Sequence, residues 1–232
     1  MAGAIVQAVA GNAANALSAT FAKTIAATAA GSVLVVKGRF NTPGATRTIS
    51  SNGTGTWETI YDSLSFDGEP NAYFICRNPQ VGTTQVTLNN NGTNSHFTID
   101  VIEVSGIDTA VSPYVPANHN NQTGVTAWTS ASATLAATAF CLGFSSYGNT
   151  GATSTAGAGF TAVAGSGYSS GNNVNVPEGD TSFVEWQASV AAGSKAATGT
   201  WSGAINPASY IVGLKEAAGG GGSSSSALLL LL

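Results

Sequence analysis

HFTIDVIEVSG (residues 96–106) is the stretch on which the fold turns. With the two-residue period of a β-strand, Phe97, Ile99, Val101 and Glu103 face one way, and Thr98, Asp100, Ile102 and Val104 the other. Apolar side chains and an acid therefore fall on both faces. SVLVVKGRF (32–40) is a near-continuous apolar run and reads as a central strand. Around these two lie AIVQAV (4–9), the alternating ALSATFA (16–22), a turn-rich SSNGTGTW (50–57) leading into ETIYDSLSF (58–66), NAYFICRN (71–78) and TTQVTLN (83–89). IDTAVSPYVPANHNNQTG (107–124) is the natural long connection. Beyond it VTAW, SATLAATAFCLGFSS, AGFTAVAGSGYSS, DTSFVEWQASVAA, AATGTWSGA and ASYIVGLKEA supply further strands. Only the Ala-rich segment 22–31 invites a helix, and it lacks a 3.6-residue period.

The pattern predicts an all-β protein, an antiparallel jelly-roll type β-sandwich with a core ~10 Å thick between its sheets. Residues 1–217 read as a single β-sandwich domain, and 218–232 as a flexible Gly/Ser-rich tether with an apolar terminal anchor. The two halves share a strand pair near each start, a Trp near the middle (Trp57, Trp186) and an apolar strand near each end. Their identity is too low to define a repeat.

Composition narrows the function. Of 232 residues 43% are hydrophobic and only 8% charged, against ~25% charged in an ordinary soluble domain. A surface built from Thr, Ser, Asn and Gln suits proteins that pack side by side or sit on a particle. The net charge of −4, with seven scattered Lys and Arg, offers no basic cluster for nucleic acid or anionic membranes. No stretch has the length and apolarity of a membrane span, and the N-terminus lacks the pattern of a signal peptide.

Residues with chemical potential are few. Cys76 and Cys141 lie in apolar strands and read first as buried free thiols, with a bridge between neighbouring strands as the alternative. No Cys/His cluster suggests zinc, and His96 and His119 have no nucleophile elbow in reach. Asp100 and Glu103 point to opposite faces and cannot form a glycosidase pair. Glu178 and Asp180 flank a strand entry, where a solvated turn is preferred to a Ca²⁺ loop. Glu103 and Glu185 are the acids most embedded in apolar strands and are expected to take hydrogen bonds from a turn or a neighbouring cation. Sugar binding would draw on Tyr114, His119, Asn120, Asn121, Gln122, Trp128 and Tyr147, although each Trp reads first as a core or interface aromatic. No catalytic residue, metal or cofactor is expected, and the protein reads as a non-enzyme.

An opening IVQ strand, a small-residue strand, GSVLVV, an Asn/Gly turn before Trp57, AYFICRNPQVGTTQVTL, IDVIEVSGID and a closing WSGA…SYIVGLKE follow one another in that order. Over roughly residues 4–217 this order resembles a family of jelly-roll or lectin-like β-sandwich proteins of bacteriophages and bacterial surfaces. The resemblance implies a fold and a setting and supplies no catalytic residues. It is strengthened by GGGGSSSSALLLLL (219–232), since phage relatives often end in a glycine-rich segment and a short apolar tail. The expectation is a structural virion protein, a capsid decoration, cement or fibre component assembled in the host cytoplasm. Its partners would be copies of itself or other virion proteins, and Leu228, Leu229, Leu230, Leu231 and Leu232 would be the assembly anchor. The competing expectation is a lectin-like adhesion module that binds surface glycans.

Overall fold

In the computed structural model the chain is described over residues 1–12, 17–42, 46–64, 70–148, 151–175 and 180–218. It is all-β. Eight strands come from the first half: β1 (Ala4–Asn12), β2 (Thr20–Thr24), β3 (Val33–Phe40), β4 (Thr48–Ser51), β5 (Trp57–Leu64), β6 (Pro70–Arg77), β7 (Gln85–Asn89) and β8 (Phe97–Ser105). The second half adds β9 (Asn120–Asn121), β10 (Val125–Thr129), β11 (Ala133–Leu135), β12 (Ala139–Tyr147), β13 (Ser154–Ala156) and β14 (Thr161–Ala162). It is completed by β15 (Asn172–Asn175), β16 (Asp180–Val190), β17 (Gly193–Lys195), β18 (Thr198–Ile205) and β19 (Ala208–Lys215).

The first half forms a five-stranded sheet, β1-β8-β3-β6-β5, covered by a small sheet, β2-β7-β4. In the second, β14-β16-β12-β19-β9 (with β15 also on β16) is covered by β10-β18-β13 and the pair β11-β17. These orders are the same. β9, β10, β12, β13, β16, β18 and β19 take the places of β1, β2, β3, β4, β6, β7 and β8, and β14 and β15 share the edge that β5 holds in the first half. Each half is thus an antiparallel sandwich of jelly-roll order, its fifth strand moved to the edge of the large sheet. Where one sandwich was expected over 1–217, the pairings build two. The faint likeness of the halves in sequence is a correspondence in strand order, to which the second half adds the pair β11-β17.

Hydrophobic burial explains how the two sandwiches join. One core fills the first sandwich, with Leu34, Val36, Phe74, Val86, Leu88, Phe97, Ile99 and Val101. A second fills the other, with Trp128, Leu135, Cys141, Phe183, Trp201 and Ile211. The third lies between the two large sheets and takes Val33, Val35, Tyr73, Ile75, Ile102 and Val104 from one, and Phe140, Leu142, Phe144, Val184, Tyr210 and Val212 from the other. A strand such as β8 is therefore buried on both faces, which is why its sequence shows no polar face.

Strand pairing also gives the molecule a direction. Asn12 opposite Thr98, Phe40 opposite Phe97, Leu64 opposite Pro70, and Tyr147 opposite Thr181 mark one end, the crown. Ala4 opposite Ser105 and Ala139 opposite Lys215 mark the other, the base. At the base the Met1 amino group donates to Ala217 O at 2.7 Å, and Ala217 N donates to Gly106 O at 2.8 Å.

Candidate functional site

The residues singled out for sugar binding are not gathered into one site. Trp128 is 2% exposed and donates from Nε1 to Ser154 Oγ at 2.9 Å, while Phe183 meets its ring edge-on. Tyr147 is 5% exposed, packs on Trp201 and accepts from Ala152 N at its hydroxyl. Neither ring has a face to offer a sugar. Both had alternated into an inward position, and their hydrogen bonds are those of buried aromatics. Tyr114, His119 and Asn121 lie along β19 instead: Tyr114 bridges Gly213, and Asn121 pairs with Ala208. His119 meets Tyr61 edge-on at 5.2 Å, and burial holds its imidazole below the usual histidine range. Asn120 donates to Thr129 O and Gln122 accepts from Thr129 N, so both amides tie the segment down.

The two cysteines belong to different cores, Cys76 to the first sandwich and Cys141 to the second, and both are free. Burial pushes their thiols up to about 11 and about 12 respectively. Among the described residues no group of three or more His, Cys, Asp or Glu could hold a metal ion. Glu178 lies outside the described residues, and Asp180 opens β16.

A buried pair of opposite charges lies where the two sandwiches meet, towards the crown. Lys37 and Asp100 are fully buried on the inner face of the first large sheet, Nζ and Oδ2 3.7 Å apart. Ser182 of the second sandwich joins them. It accepts from Lys37 Nζ at 2.9 Å and donates to Asp100 Oδ2 at 2.6 Å. Asn173 donates to Asp100 Oδ1 at 3.2 Å and to Ile99 O, and Ser146 donates to Asn71 Oδ1 at 3.0 Å. The network crosses the seam at three points and sets how the sheets lie on one another. Sequence reading placed Asp100 on this face but found no partner for it, because Ser182 is 82 residues away.

The two embedded acids found the turn donors expected of them. Glu103 accepts from Ala29 N at 2.7 Å and from Gln7 Nε2 at 2.6 Å. Glu185 accepts from Gly157 N at 3.0 Å through Oε2, while Oε1 is buried without a partner. Burial pushes its carboxyl up to about 8, against smaller opposing effects of backbone hydrogen bonds and Lys195.

A concave surface of a size to receive a partner is present among the described residues. It runs up the flank where the edges β1 and β14 of the two large sheets meet, with a volume of about 730 Å³. Its floor is β1 from Ile5 to Val9. Thr24, Ile25 and Ala26 form one wall, and Thr161, Ala162, Ala164, Gly165, Ser166 and Trp186 the other. A bulge between Ile5 and Gln7 turns Val6 outward, 47% exposed. The Gln7 side chain is clamped to Ala26 by a pair of hydrogen bonds, and Trp186 stacks on Phe140 at 5.6 Å. No Asp, Glu, Lys or Arg lines it. The terminal leucines Leu228–Leu232, expected to be the anchor, lie outside the described residues.

No protein-family model, curated protein or solved structure matches this chain.

Proposed function

We propose that the protein is a non-enzymatic building block of a bacteriophage particle, held in its assembly by the apolar C-terminal segment Leu228–Leu232. The observation that carries this reading is the polarity of the body. Residue 217 sits at the base beside Met1, so the Gly/Ser tether departs from there, while the crown, about 30 Å away along nine-residue strands, is left free to face outward. Five leucines withdrawn from water contribute about 1.5–3 kcal/mol apiece before ordering and association costs are subtracted, enough to anchor a subunit with many equivalent neighbours. The jelly-roll order of both halves suits such a role, since virion and lectin domains both use it. The sparse charge of the surface permits close packing of copies, and the site of action is the virion surface. The lectin-like reading loses two of its seven residues to the core, Trp128 and Tyr147.

The test is deletion of residues 219–232. The truncated protein is expected to fold and stay soluble, and to be lost from particles. Wild-type occupancy of the truncated protein in purified particles overturns the reading.

A further inference from the structure

A pentaleucine at the end of a Gly/Ser run poses a problem before assembly, because an exposed apolar end drives aggregation. We propose that in the free subunit Leu228–Leu232 lies in the flank groove of its own body, along the edge of β1, so that the anchor is sheltered until a neighbour takes it. The proposal rests on the reading of the tail as an assembly anchor and adds where the anchor waits.

Length and position carry the argument. The chain beyond the described residues begins at Gly219, two residues after Ala217, whose carbonyl accepts from the Met1 amino group. The groove floor starts at Ile5, four residues up the same strand and about 14 Å away at 3.4 Å per residue. The eight-residue tether Gly219–Ser226 has a root-mean-square span of about 16 Å. A tether whose span matches the gap gives the highest effective concentration, on the order of millimolar. Five extended leucines cover about 17 Å, the length of the five floor residues Ile5–Val9. The chemistry agrees as well. The lining is apolar or neutral throughout, with Ile5, Val6, Val9 and Trp186 supplying the large side chains. Among the described residues, the side of β1 away from β8 is bridged only where Ser166 meets Val9, which leaves the edge from Ala4 to Gln7 open to an added strand. Tether and groove together describe a reversible latch: a neighbour's groove or a capsid surface competes for the same five side chains, and exchange between copies needs no new contact.

Trp186 is the built-in probe. With fluorinated tryptophan in the full chain, the four indole resonances are separable, and Trp186→Phe assigns the one that lines the groove. Deleting residues 219–232 is expected to move the Trp186 resonance and leave the other three in place, and the full-length resonance is expected to stay constant over a hundredfold range of protein concentration. Two charges placed in the groove at exposed positions, Val6→Lys with Ala164→Glu, are expected to move Trp186 in the same direction and to turn a monomer into larger species by light scattering. The same charges on the truncated chain leave a monomer. Unmoved resonances for the other three tryptophans show that each variant is folded. A Trp186 resonance indifferent to the deletion overturns the proposal. So does one that shifts with concentration, because the groove is then filled by another copy. Either result leaves the anchor's role in assembly to the separate particle-occupancy measurement.

Discussion

At the scale of single residues, the seam between the sandwiches holds the largest electrostatic stake. Removing one member of a buried ion pair strands the other in a low-dielectric interior, which costs about 3–5 kcal/mol. Asp100→Ala is therefore expected to lower unfolding stability by up to that amount in urea titration, since it removes the carboxylate 3.7 Å from the buried Lys37 Nζ. The double change Lys37→Met with Asp100→Leu is expected to recover most of it, because the site then needs no charge compensation. A loss below 1 kcal/mol for Asp100→Ala means that water or other groups reach Lys37. Glu185 makes the opposite kind of prediction. Its carboxyl is raised to about 8 in the folded chain from about 4.3 unfolded, so the native state holds the proton more tightly. Stability is then fullest below pH 4 and falls as pH rises towards 8, by up to about 1.4 kcal/mol per pH unit. Glu185→Gln should flatten that slope between pH 5 and 8, and an unchanged slope assigns it to other groups. The raised thiols of Cys76 and Cys141, in separate cores, should resist a thiol reagent in native buffer and react fully in denaturant.

At the scale of elements, the strands were the legible part. β1, β3, β6 and β8 fall within a few residues of the runs read from alternation and apolar content, and the two faces assigned to 96–106 are the two observed. Phe97, Ile99 and Val101 enter the first sandwich, and Ile102 and Val104 the central core. The number of layers was not legible. A strand apolar on both faces says that both are covered, not by what, and the covering sheets are made of short strands such as β4 and β13 whose alternation is brief. The groove was equally hidden: Ile5 and Trp186 are ordinary strand residues and Ile25 directly follows β2, brought together only where the halves meet. Trp128 shows the same limit, because its position on β10 reads as surface or core until Ser154 of β13 and Phe183 of the large sheet meet its ring. Its ring holds β10 against the large sheet through Phe183. Trp128→Ala is accordingly expected to destabilise the protein by about 3–5 kcal/mol and to leave the surface chemistry unchanged. Wild-type stability together with a lost glycan-array signal would return Trp128 to the surface and revive the lectin reading.

At the scale of the whole molecule, the repeated topology raises the question of whether either half can stand alone. The two halves share their strand order, yet the backs of their large sheets are apolar. Val33, Val35, Tyr73, Ile75, Ile102 and Val104 all face the second sandwich, and exposing six such side chains forfeits about 9–18 kcal/mol. That range matches or exceeds the entire stability of an ordinary domain, about 5–15 kcal/mol. Lys37 and Asp100 would lose Ser182 at the same time. Residues 1–106 expressed alone are therefore expected to be insoluble or to bind a hydrophobic dye without a cooperative urea transition. Residues 107–218 are expected to behave likewise, with Phe140, Leu142, Phe144 and Val212 bared. Co-expression should restore a one-to-one complex with a single cooperative transition, because the seam carries the energy that neither half has by itself. If residues 1–106 instead give a dye-silent monomer with a sharp transition, the central core is a docking contact between two finished domains, and the backs of the large sheets tolerate water far better than their side chains imply.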